Sequence, residues 1–213
     1  MEKKYRKFYS LGEEIANSVT HGVATLLALA GGVIAIVVAA KTHDPYKIVA
    51  ASIYAFSLVV LYLMSTLYHS LPNGKAKFVF RVFDHDSIFL LIAGSYTPFT
   101  LVTLRGTLGW WMFGAIWASA ICGIVLNSIS VDKYAKISIL FYVAMGWCVI
   151  IALKPLIAAM ELAGLVLLVA GGLCYTIGII FFVLRTKYMH SIWHVFVLAG
   201  SVLQYFTILF YVL

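Results

Sequence analysis

At 213 residues, with 63% hydrophobic and 11% charged residues and a mean hydropathy of +1.02, the chain is far too apolar for a water-soluble domain. Its net charge of +7 comes from 15 Lys and Arg gathered in short segments between long apolar runs. That pattern describes loops at a membrane surface, so the expected class is an integral membrane protein and no nucleic-acid partner is expected.

The amino-terminal residues Met1 to Phe8 are basic but lack an apolar stretch followed by a small-residue cleavage site, so they are not read as a removable signal peptide. A helix needs about 20 residues to cross a hydrocarbon core. Seven stretches reach that length or approach it, near residues 17–40, 47–70, 83–104, 108–128, 136–153, 161–184 and 190–212. The reading is therefore an all-α protein of seven transmembrane helices forming one domain over residues 1–213, with a short cytoplasmic segment over 1–16.

Positive residues stay on the cytoplasmic side of a membrane. Lys3, Lys4, Arg6, Lys7, Lys75, Lys77, Arg81, Lys133, Lys136, Arg185 and Lys187 fall on one side, against Lys41, Lys47, Arg105 and Lys154 on the other. The expected orientation thus has the amino terminus inside and the carboxyl terminus outside.

Gly94 and Pro98, in the middle of the third stretch, suggest a close helix contact followed by a kink. Gly31-Gly32, Gly171-Gly172 and Gly178 read as further contact faces. Cys122, Cys148 and Cys174 all lie in apolar runs and read as small packing residues. No internal repeat, phosphate loop, GxGxxG or nucleophile-elbow motif is present.

Chemistry concentrates in a few polar residues. His190 and His194 open the seventh stretch four residues apart, so on a helix they share a face. The strongest third candidate is His69, preceded by Ser65 at the same spacing. Direction fixes depth: the second helix ends inside and the third and seventh begin inside, so His69, Asp84, His85, His190 and His194 share one membrane face. His21 joins them, and His43 is left on the other. Three imidazoles plus water make a common catalytic zinc arrangement with an open fourth position, although copper, iron or nickel would also suit them. Asp84 is the best-placed carboxylate to act as a base, with Asp86 second, and Ser65 could hydrogen-bond the water or a ligand. His21 and His85 read as supporting or interfacial residues.

Four runs taken together carry a resemblance. They are Glu14-Ile-Ala-Asn17-Ser-Val-Thr20-His21, Ser65-Thr-Leu-Tyr-His69, Asp84-His-Asp-Ser-Ile88 leading to Gly94 and Pro98, and His190-Ser-Ile-Trp-His194. Their order and spacing resemble the hemolysin III family, the bacterial branch of the progestin and adiponectin receptor family, over essentially the whole chain. The resemblance implies seven helices, a plasma-membrane location and a zinc ion near the cytoplasmic face. It also implies ligands His69, His190 and His194, with Ser65 and Asp84 beside the site. The family is similar in turn to alkaline ceramidases, which implies hydrolysis of a membrane lipid amide or ester in lipid homeostasis, with membrane lipids as the partners. The alternatives are a pore-forming cytolysin, as the family name suggests, and a non-enzymatic lipid sensor with structural zinc. No stripe of charges that would line a wide channel runs along the spans.

Overall fold

The structure, a computed structural model, describes residues 9–184 and 186–213. Lys3, Lys4, Arg6, Lys7 and Arg185, and the reading of Met1 to Phe8, lie outside them. The elements are helices α1 (Leu11–Lys41), α2 (Pro45–Ser70), α3 (Lys75–Pro98), α4 (Thr107–Ile129), α5 (Val131–Gly146), α6 (Leu153–Ala159), α7 (Leu162–Val183) and α8 (Met189–Tyr211). There is no strand among the described residues. A π-turn, Phe99–Thr103, continues α3, and a 3-10 turn, Cys148–Ala152, joins α5 to α6 so that Val131–Ala159 forms one broken rod. Among the described residues the count of seven rods agrees with the sequence. Six of them are long and apolar enough to cross a membrane. The seventh, α3, carries Lys75, Lys77, Arg81, Asp84 and Asp86 in its first half.

Three boundaries differ from expectation. The helix α1 begins at Leu11 rather than near residue 17, because Ser10 and Glu13 form a capping box: Glu13 N–H donates to Ser10 Oγ at 3.4 Å and Ser10 N–H to Glu13 Oε2 at 2.8 Å. That local signal is polar, so a search for apolar runs passes over it. The helix α3 begins at Lys75 rather than near 83, so Asp84 lies more than two turns inside it and is not a charge at the helix start. The fifth rod runs beyond the expected 136–153 at both ends.

Proline and glycine behave as their positions suggest. Pro98 ends the regular part of α3, and the chain relaxes into the π-turn directly after it. A Cβ on Gly94 would overlap the Ser57 side chain, so α2 and α3 touch at this point. At Gly32 it would stand 2.9 Å from Ala55 Cβ, at Gly171 2.9 Å from Gln204 Nε2, and at Gly178 3.0 Å from Phe196 Cβ. Gly172 departs from the expectation, with nothing within 4 Å. Cys122 is exposed, while Cys148 and Cys174 are partly buried, and all three are free thiols. Gly94→Ala should destabilise the protein by about 1–3 kcal/mol through overpacking, whereas Gly172→Ala should be neutral. Equal melting temperatures for the two variants in detergent would mean that α2 and α3 do not meet at Gly94.

The helices α1, α2 and α8 enclose one end of the bundle, with α3 against α2 and α7 against α8. The two ends are chemically distinct. At one, Arg105 pairs with Asp44 at 2.9 Å, its guanidinium stacks 3.8 Å from the Tyr46 ring, and Lys47 donates to the carbonyl of Leu213. At the other, the start of α1 meets the end of α2 and the start of α8. Here Glu13 Oε1 accepts from Tyr188 N–H at 2.9 Å, holding the left-handed residue (φ +63°) from which α8 departs.

Candidate metal centre

The last turn of α2 and the first turns of α8 converge at this second end. Their three imidazoles, His69, His190 and His194, have ligand atoms within 4.8 Å of one another. The ring centroids are 5.2 Å apart for His69 and His190, 5.1 Å for His69 and His194, and 4.7 Å for His190 and His194. All three side chains are buried, His194 completely. The Nε2 atom of each lacks a hydrogen-bond partner. One buried unsatisfied nitrogen costs roughly 1–3 kcal/mol. Three of them in one place form a donor set that a single cation would satisfy, and neutral imidazole nitrogens suit zinc and the neighbouring transition metals. The residues fit such an ion.

The opposite edges of the His69 and His194 rings are held by α1. His69 Nδ1 lies 2.7 Å from Glu14 Oε2, and Asn17 Nδ2 lies 3.4 Å from the same nitrogen. The Thr20 hydroxyl donates to the carbonyl of Ala16 at 2.8 Å, which leaves its oxygen free to accept from His194 Nδ1, 3.4 Å away. Ser191 Oγ donates to Asn17 Oδ1 at 2.6 Å, tying α1 to the turn that carries His190. Metal-binding histidines generally have their second nitrogen fixed in this way. Neither Glu14 nor Thr20 was singled out in the sequence for a role here. The available signal was a row of polar residues at helical spacing, Glu14, Asn17 and His21, on a helix otherwise rich in aliphatic side chains.

Ser65, one turn before His69, is buried and its hydroxyl lacks a partner. Asp84 is buried on α3 and outside the close histidine group, with Oδ2 3.4 Å from His85 Nδ1. Asp86 points elsewhere, accepting from Ser128 Oγ at 3.1 Å. His85 Nδ1 also reaches the Arg81 carbonyl at 2.8 Å.

His21 is no interfacial residue. It is almost fully buried, stacked on His194 with centroids 3.5 Å apart and planes 9° apart, and edge-on to Tyr62. Tyr9, just before α1, covers the centre, its ring 4.8 Å from that of His190 and 5.5 Å from that of His69. Burial pushes the Tyr9 phenol well above its ordinary range, and the charges of Asp84 and Glu14 push the same way, so it stays a neutral hydroxyl.

A sequence model described as Haemolysin-III related matches residues 9–205, a stretch that holds every residue of this centre. The chain belongs to the Haemolysin-III related family. It is 45% identical to "Hemolysin-3" of Bacillus cereus over 213 residues, all of this chain and 97% of that one. It is 42% identical to the "Hemolysin-3 homolog" of Bacillus subtilis (strain 168), over 95% of this chain and 96% of that one. A more distant relative is the human "Monocyte to macrophage differentiation factor", 28% identical over 92% of this chain and 83% of its own. The family is the one expected from the four motif runs. Membership, with six apolar helices of spanning length, makes the chain a multi-pass bacterial membrane protein.

Within this Haemolysin-III related chain the centre joins parts that lie far apart in sequence. The pair Glu14 and His69 is separated by 55 residues, and Thr20 and His194 by 174. No local pattern records either pairing.

Proposed function

We propose that the protein is a zinc-dependent hydrolase of a membrane lipid amide or ester, acting in membrane lipid homeostasis. The observation that carries this reading is the grouping of three buried imidazoles, each with an unpartnered Nε2 and with ligand atoms within 4.8 Å of one another, one helical turn from the buried, unpartnered Ser65 hydroxyl. His69, His190 and His194 would hold the ion, which would supply Lewis acidity toward a lipid carbonyl. Asp84 accepts the proton of the attacking water and returns it to the leaving amine or alcohol as the acyl C–N or C–O bond breaks. Ser65 donates its hydroxyl hydrogen to the substrate oxygen. Tyr9 covers the centre and shields it from bulk water.

Purified protein in vesicles of mixed natural lipids should release fatty acid and the matching amine or alcohol in equal amounts, read by mass spectrometry. His69→Ala should release neither. Zinc-loaded protein that leaves every lipid class intact would remove the hydrolase reading. Dye leakage from the same vesicles with unchanged lipids would support a pore-forming cytolysin instead.

The orientation proposed has the metal centre at the cytoplasmic face, supported by the excess of Lys and Arg in the loops at that end. A reporter fused after Leu213 should be external and one inserted at Asn73 internal. An internal carboxyl terminus would reverse the assignment and move the centre to the outer face.

A further inference from the structure

We propose that Glu14 is a positioning residue that holds His69 in its Nδ1-protonated form and thereby presents the Nε2 lone pair to the metal. A neutral imidazole carries its proton on either nitrogen, and only the unprotonated one can bind an ion. Glu14 Oε2 lies 2.7 Å from His69 Nδ1. A carboxylate accepts and does not donate, so a contact this short places the proton on Nδ1. The Asn17 amide is the competing contact, and it is the weaker one. Its Oδ1 takes the Ser191 hydroxyl at 2.6 Å, which turns its Nδ2 toward the ring, but at 3.4 Å this neutral donor is outweighed by the charged acceptor at 2.7 Å.

The carboxylate is itself fixed. Its second oxygen, Oε1, accepts from Lys77 Nζ at 2.9 Å. Lys77 spends its other protons on the carbonyls of Tyr68 at 2.9 Å and Leu71 at 3.1 Å, at the end of α2. The ammonium on α3 therefore ties Glu14 of α1 to the very turn that carries His69. Salt-bridged in this way, Glu14 acts through His69 alone and has no part in the proton transfer assigned to Asp84. The inference rests on the metal centre of the proposed function, yet the ring tautomer can be read without any metal.

The experiment uses full-length protein in detergent with 15N-labelled histidine, stripped of metal, its His69 signals identified by their loss in His69→Gln. Two-bond nitrogen–proton correlations should show wild-type His69 protonated at Nδ1. Glu14→Gln should shift it toward protonation at Nε2 or a mixture. Zinc affinity, measured by competition with a chromophoric chelator, should fall by about 10- to 100-fold in Glu14→Gln. Glu13→Gln removes the neighbouring carboxylate, which bonds Ser10 and the Tyr188 backbone but not His69; it should lower thermal stability and leave the His69 tautomer unchanged.

Wild-type His69 protonated at Nε2 would overturn the proposal even if the variant failed to fold. So would a Glu14→Gln protein with unaltered tautomer. Wild-type protein that binds no zinc but shows the expected tautomer change would overturn the hydrolase reading and leave the role of Glu14 toward His69 standing.

Discussion

His194→Ala is expected to abolish stoichiometric zinc binding and to lower the melting temperature of the zinc-loaded protein in detergent by roughly 10 °C. An ion that binds the folded state alone stabilises it by mass action, about 4 kcal/mol at a thousandfold excess over its dissociation constant. His194 has no exposed surface and is stacked on His21, so truncation also opens a hole beside a second buried imidazole. Chelator should reproduce the zinc-dependent part of the loss in the wild type and do nothing further to the variant. His69→Ala and His190→Ala should behave alike, because each removes one of the three convergent Nε2 atoms. His43 is exposed and left-handed at φ +56°, a conformation that Asn tolerates, so His43→Asn should change neither metal content nor melting. Full zinc occupancy in all three ligand variants would place the metal elsewhere.

Asp84→Asn is expected to retain zinc and fold and to lose turnover by about 100-fold or more, the usual scale for removing a general base. The substitution keeps the size of the side chain and one acceptor oxygen but no group that can take a proton. Zinc retention follows from the position of Asp84 outside the close histidine group. Its burial on α3, more than two turns from Lys75, also removes the alternative that it merely complements a helix start. Zinc content and lipid hydrolysis measured on one preparation separate the outcomes. Loss of zinc would make Asp84 a ligand, and undiminished hydrolysis would end its role as the base.

Much of this protein is legible in one dimension, and the reason is the bilayer. Hydrocarbon leaves a crossing backbone few forms besides the helix, and it demands a run of apolar residues of fixed length. Spans such as Leu162–Val183 are therefore visible as composition alone. The pairs Ser65/His69 and His190/His194 are equally local, since helical periodicity places i and i+4 on one face whatever surrounds them. Alternating span direction then puts both pairs at one depth. Tertiary structure decided the rest. The start of α3 was hidden because its first turns carry Lys75, Lys77 and Arg81; Lys77 is met by Glu14 and the carbonyls at the end of α2, and Arg81 by Asp132. His21 could be a supporting or an interfacial residue until the packing of α1 against α8 laid it on His194. The contacts of Glu14 with His69 and of Thr20 with His194 join α1 to α2 and α8 across 55 and 174 residues. Such pairings depend on which helices become lateral neighbours, and hydropathy, which sets depth, carries no information about neighbours.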